Sequence, residues 1–216
     1  MSESSTPVSA EHFRYIAAHT QAEDEFLAEL KREASAAGIP AIWISPEQAS
    51  LMQILLKLCK AREVIEVGTL AGYSAIAMAR ALPDGGRVRT IELSETHADF
   101  AERWIARSDV SNRIEVHRGS GADVLLTFAD QSADAAFLDA DKESYPSYLD
   151  EARRIVRPGG LIMVDNAFAF GQLFDEHPTD PETPAVRRFN EYIAEATWLQ
   201  SIIVPLGDGC WVGVKS

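Results

Sequence analysis

The sequence predicts an α/β fold: a Rossmann-like, mostly parallel sheet with helices on both faces, closed by an antiparallel C-terminal hairpin and preceded by a helical extension. Three observations carry this. From Glu63 onward, short apolar runs alternate with helix-like runs, the pattern of βαβ units. Several of the apolar runs end in a glycine or a carboxylate, as strands do at the ligand-binding edge of an open sheet. Residues 201–204, the turn Gly207-Asp208-Gly209 and residues 210–214 come last, and two strands joined by so short a turn must pair antiparallel.

The 216 residues suffice for one well-cored domain. A hydrophobic share of 46% with 25% charged residues places the chain among globular proteins rather than disordered ones. A net charge of −13 and a pI near 4.8 argue against nucleic-acid or anionic-membrane partners, which such a chain repels on average. Cys59 and Cys210 sit in apolar stretches and read as reduced, buried thiols. The polar N-terminus lacks the blocks of a signal peptide, and no apolar run approaches a membrane span. A cytoplasmic protein is expected.

Residues 1–8 read as a frayed tail before a single domain over 9–216, made of N-terminal helices (9–62) and an α/β core (63–216). Helices are expected over about 10–19 and 23–37, the second stopped by Gly38 and Pro40. A third starts at Ser45-Pro46-Glu47-Gln48, where a capping serine, a first-turn proline and an acid stand in order, and runs to about Lys60. Strands are expected at 64–67, 87–92, 113–117, 135–138 and 161–164. Helices begin between them near Gly72, Glu95, Ala122 and Tyr145, the last closed by Arg157-Pro158-Gly159-Gly160. Residues 166–183 read as a loop, followed by a helix over about 184–196.

Two acidic stretches lie at consecutive strand ends: Asp139-Ala140-Asp141-Lys142 after residues 135–138, and Asp165-Asn166 after residues 161–164. A parallel βαβ unit puts both ends on one edge of the sheet. Asp139, Asp165 and Asn166 thus read as three hard oxygen donors for a divalent cation, with Lys142 as a base one turn beyond. The five histidines have no metal-ligand spacing and read as surface or structural.

The first strand ends in Glu66-Val67-Gly68 and leads through Gly72-Tyr73-Ser74. Gly68 allows a sharp turn and close ligand approach, and Gly72 opens the next helix. The G-x-x-x-G spacing differs from the G-x-G-x-x-G of dinucleotide sites. Glu66 before it would repel a phosphate and attract a cation, which suits S-adenosylmethionine. Glu92, at the end of the second strand, can accept hydrogen bonds from ribose hydroxyls.

With these motifs in order, the chain resembles the class I S-adenosylmethionine-dependent O-methyltransferases of the metal-dependent catechol and caffeoyl-CoA group, from about Ser45 to the C-terminus. The resemblance implies a seven-stranded sheet with the last strand antiparallel. It places Asp139, Asp165 and Asn166 at metal-ligand positions, with magnesium foremost and manganese or calcium as alternatives, and Lys142 at the catalytic base. Glu66, Gly68, Ser74, Glu92 and Asp141 fall on cofactor positions, with Asp139 beside them, and more loosely Ile44, Gly121 and Tyr148. The implied reaction is methyl transfer to a hydroxyl of a small vicinal-diol phenol, and a homodimer is expected because many members form one. After Asn166 the run Ala167-Phe168-Ala169-Phe170-Gly171 departs from the leucine-tryptophan and glycine common in relatives. Phe168 and Phe170 read equally as a stacking surface for a phenol or as core. The rival readings are a nicotinamide-dependent oxidoreductase on a Rossmann sheet and a non-catalytic adenosyl- or metal-binding module.

Overall fold

The computed structural model of the protein describes residues 8–216. All of the expected N-terminal tail but Val8 lies outside the described residues. Seven strands form one sheet in the order β3-β2-β1-β4-β5-β7-β6: β1 (Glu63–Val67), β2 (Arg87–Glu92), β3 (Ile114–Arg118), β4 (Ala133–Leu138), β5 (Val156–Val164), β6 (Leu199–Val204) and β7 (Cys210–Lys215). Strands β1 to β5 are parallel, and β7 enters antiparallel between β5 and β6. The chain runs outward from β1 through β2 to β3, then returns to place β4 on the other side of β1. That reversal opens a crevice at the carboxyl ends of β1 and β4, where open α/β sheets bind ligands.

Among the described residues eight α-helices surround the sheet: α1 (Ala10–His19), α2 (Glu25–Ala36), α3 (Pro46–Leu58), α4 (Tyr73–Ala79), α5 (Glu95–Arg107), α6 (Gly121–Leu125), α7 (Tyr145–Ile155) and α8 (Thr183–Ala194). The pleat divides the strand residues between two cores. Val64, Phe137 and Met163 pack with Leu30, Met52, Ile76 and Trp104 of α2 to α5 on one face. Ile65, Leu138 and Ile162 pack with Leu149, Ile155 and Phe189 of α7 and α8 on the other. The N-terminal helices α2 and α3 therefore share the core of the sheet. No helix among the described residues is long and apolar enough to cross a membrane.

Local chemistry moves three boundaries from their expected places. Helix α2 starts at Glu25 because Asp24 caps it, its side chain accepting from the Leu27 N–H at 2.9 Å. Glu23 is thereby left outside to accept from the Tyr73 hydroxyl at 3.0 Å and pair with Lys31 at 2.5 Å. The Arg157-to-Gly160 run does not close α7; it belongs to β5, where the pairing jumps from Ala133 opposite Val156 to Ala135 opposite Leu161. The extra residues make a bulge, and Gly160 fits because a Cβ there would lie 2.4 Å from Val156 Cγ1. Strand β6 begins two residues early because Leu199 is buried and pairs with Lys215.

Candidate active site

A cleft of about 760 Å³ opens at the carboxyl ends of β1 to β4. On one side lies the loop from β1 into α4. Gly68 has φ +103°, and a Cβ there would come within 1.9 Å of the Asp139 carbonyl oxygen, so only glycine lets the turns after β1 and β4 touch. Gly72, at φ +87°, starts α4. The Glu92 carboxylate holds this loop: Leu70 N–H donates to Oε2 at 2.8 Å and Ser94 N–H to Oε1 at 2.9 Å. Glu92 also lines the cleft. Across from it, the Tyr148 hydroxyl donates to Asp141 Oδ1 at 2.6 Å, and burial followed by that bond pushes the Tyr148 hydroxyl up to about 12. A Cβ at Gly121 would sit 2.7 Å from Val67 and 2.9 Å from the Tyr148 ring.

Of the residues expected at the cofactor, Ile44, Gly68, Ser74, Glu92, Gly121, Asp139, Asp141 and Tyr148 line this one cleft. Glu66 does not. It lies fully buried beneath the loop, and neither carboxylate oxygen has a hydrogen-bond partner. Burial pushes its carboxyl up to about 8, opposed by the nearby hydroxyls of Ser74 and Thr90. An orphaned acid beneath a ligand loop fits a nearby cationic group, and none of the described residues supplies one.

The other side of the cleft holds the second group. Lys142, only 5% exposed, donates from Nζ to Tyr145 Oη at 2.6 Å and to Asp139 Oδ1 at 3.1 Å. Asp165 is buried, and its Oδ1 accepts from Gln48 Nε2 at 2.6 Å. Burial, then the Asp139 charge, push its carboxyl up to about 7. Asn166 sits at φ +64°, a left-handed conformation that asparagine tolerates better than most residues, and its amide nitrogen donates to Asp208 Oδ2 at 3.2 Å. Each of the three expected ligands thus spends one atom on a protein partner and keeps one oxygen. Two carboxylates and an amide oxygen form a hard donor set suited to a small divalent cation. Groups of three or more His, Cys, Asp or Glu converging on a metal position are absent among the described residues; the third candidate donor here is an asparagine.

Four participants escape the sequence reading. Gln48 was legible only as part of the α3 start, and Asp208 only as part of the Gly207-Asp208-Gly209 turn, one of the motifs of the family resemblance with no role attached to the aspartate. Tyr145, three residues after Lys142, and His97, whose Nδ1 lies 3.6 Å from Glu92 Oε1 at the cleft wall, carry no motif that singles them out. The two phenylalanines separate. Phe170 lines the cleft, its ring 6.0 Å from Lys142 Nζ. The Phe168 ring packs on Gly209, where a Cβ would come within 2.8 Å.

Comparison with known proteins gives the family of the chain. Residues 17–216 match the model of the O-methyltransferase family. A catechol O-methyltransferase of Niastella koreensis is 39% identical over 196 residues, covering 89% of this chain and 86% of that one. Among solved structures, the O-methyltransferase from Bacillus cereus in complex with SAH is similar at a TM-score of 0.84 and 35% identity, covering 94% and 96% of the two chains. The O-methyltransferase TomG from Streptomyces achromogenes, involved in tomaymycin synthesis and in complex with SAM, is similar at 0.83 and 31%, covering 95% and 96%. These matches decide against the nicotinamide reading, and the chain belongs to the O-methyltransferase family, as a class I S-adenosylmethionine-dependent enzyme.

Proposed function

We propose that the protein methylates one hydroxyl of a small catechol-like phenol in a reaction that depends on a divalent cation, magnesium foremost. The observation that carries this reading is that Asp139 and Asn166 line the same cleft as the β1–α4 loop beside the buried Lys142, with Asp165 buried next to them and held by Gln48. A cation held there would draw two vicinal oxygens of the acceptor into place and favour the ionised hydroxyl by Lewis-acid stabilisation.

Lys142 Nζ takes the proton of that hydroxyl. Tyr145 and Asp139 hold the amine by two hydrogen bonds, so it approaches from a fixed direction. On the donor side, Glu92 receives the ribose hydroxyls and Asp141, fixed by Tyr148, flanks the adenosyl group. Glu66 lies under the loop as the countercharge to the donor's cationic end. Phe170 offers the acceptor ring a face. Holding both reactants in one cleft replaces an encounter by an oriented pair.

The cleft also speaks on acceptor size. Lys142 is the single lysine or arginine among its lining residues, which disfavours the phosphates of a CoA thioester and favours a free phenol. A methyl-transfer screen over vicinal-diol phenols, with single-hydroxyl analogues as controls, tests the reading. Turnover of the diols alone, abolished by EDTA and restored by magnesium, is the expected result. Full activity in EDTA with metal analysis confirming an empty protein would overturn the cation.

A further inference from the structure

We propose that Asp208, in the turn between β6 and β7, is a positioning residue that holds the acceptor wall of the cleft. The inference rests on reading the Lys142–Asn166–Phe170 side as the acceptor half. The wall is the segment from Asn166 to Gly171, and its backbone is costly: Asn166, Ala169, Phe170 and Gly171 all have positive φ, at 64°, 54°, 59° and 77°. Three of the four are not glycine, and such residues enter this region only when their surroundings impose it.

One carboxylate supplies the imposition. Asp208 Oδ2 accepts from the Phe170 N–H at 2.7 Å and from Asn166 Nδ2 at 3.2 Å, while Oδ1 accepts from the Gly171 N–H at 3.1 Å. Hydrogen bonds to an ionised acceptor are stronger than neutral ones. The same group therefore fixes the amide of Asn166, so that its Oδ1 is the atom left free, and the main chain that carries the Phe170 ring. The backbone of the turn adds two more ties, Ala167 N–H to Gly209 O and Phe168 N–H to Asp208 O, both at 2.8 Å.

Both glycines of the turn serve the same end. A Cβ at Gly207 would lie 2.5 Å from Oε1 of Gln48, the residue that holds Asp165. A Cβ at Gly209 would collide with the Phe168 ring. Gly207-Asp208-Gly209 is thus shaped to Gln48, Asn166, Phe170 and Phe168 at once, far beyond what a hairpin connection needs.

The test compares the full-length wild type with Asp208→Ala and Asp208→Asn by amide hydrogen exchange, by calorimetry with S-adenosylmethionine and with magnesium, and by kinetics on 4-methylcatechol. In Asp208→Ala the Phe170 and Gly171 amides are expected to exchange at least about tenfold faster. Acceptor kcat/KM is expected to fall about 100-fold, chiefly through KM, the penalty for reacting groups displaced by about 1 Å. The ratio of the two monomethyl products should shift, magnesium affinity should fall, and affinity for S-adenosylmethionine should stay within about twofold. Asp208→Asn should recover part of the loss, since its one carbonyl oxygen can serve either the Phe170 or the Gly171 side. Wild-type KM and product ratio despite faster exchange would overturn the proposal, as would an equal loss of affinity for the methyl donor. If the wild type leaves 4-methylcatechol unmethylated, the reading of the function fails instead. Asp208 is then judged on exchange and magnesium binding alone, where wild-type values overturn it.

Discussion

The two halves of the cleft are built by different rules. In the donor half, each group lies at the end of its own strand, and its partners are near in sequence or on the adjacent strand: Glu92 with Leu70 and Ser94, Asp141 with Tyr148. In the acceptor half, Asp139 is still held locally by Lys142, but the two side chains after β5 are fixed by residues brought from far away. Asp165 is held by Gln48, 117 positions distant, and Asn166 by Asp208, 42 positions distant. A donor site made of local loops can persist while the acceptor site changes with the elements around it. Substrate variety at constant methyl donor follows from that division.

The largest break in the comparison should come from Lys142→Ala. Loss of a general base costs about 10²–10⁴-fold in turnover, and the change lies wholly in the acceptor half. Turnover measured with a vicinal-diol phenol should collapse, while calorimetric affinity for S-adenosylmethionine stays within about twofold. Near-wild-type turnover would remove the lysine as base. A parallel fall in cofactor affinity would show that the halves are one unit.

Glu92→Ala probes the opposite half. It removes a charged acceptor from two loop amides and, on the proposed reading, from the adenosyl ribose, and each hydrogen bond to a charged group contributes roughly 1.5–3 kcal/mol. Affinity for S-adenosylmethionine should weaken by about 10–100-fold, with little change in acceptor KM at saturating donor. Equal damage to both constants, read from a two-substrate kinetic grid, would erase the distinction between the halves.

The same contrast governs how much was legible in the sequence. The strand alternation, the order of the helices and the closing hairpin are local patterns, and they stand as expected apart from a few terminal residues. The bulge in β5 was not legible, because Arg157-Pro158-Gly159-Gly160 looks like a helix stop and only its partner Ala133–Ala135 on β4 shows it paired as strand. Donor-half residues could be named because glycine spacing and strand-end acids are local. In the acceptor half, Asp139, Lys142, Asp165 and Asn166 could be named as candidates, yet the hold of Gln48 on Asp165 and of Asp208 on Asn166 could not. Their meaning depends on where α3 and the β6–β7 turn come to rest, which no spacing encodes. Glu66 was read as a cofactor residue before the loop, whereas it lies buried in β1 away from the cleft lining, a concealment that depends on packing near Ser74 and Thr90.

Glu66→Gln is the most discriminating change, because it alters the donor half without touching its lining and leaves the acceptor half alone. Glu66 has its pKa raised from 4.5 to about 8, first by burial. Below pH 4.5 the carboxyl is protonated in folded and unfolded chains alike, and no penalty exists. As pH rises from 4.5 toward 8, the unfolded chain releases this proton and the folded one retains it, so stability falls by up to about 1.4 kcal/mol per pH unit from this group. Above the folded value both forms are ionised and the loss levels off. Asp165, raised to about 7, adds a slope of the same sign over the lower part of that window, so glutamine at position 66 should remove only part of the dependence. Urea unfolding of the free protein between pH 5 and 9 should therefore show Glu66→Gln more stable than wild type, by a margin that widens toward pH 8. Saturating S-adenosylmethionine, whose cationic end favours the ionised acid, should narrow the margin by stabilising wild type more. A margin independent of pH would mean that Glu66 is ionised in the folded protein throughout, and the donor half would then carry a fixed charge in place of one that its ligand calls out.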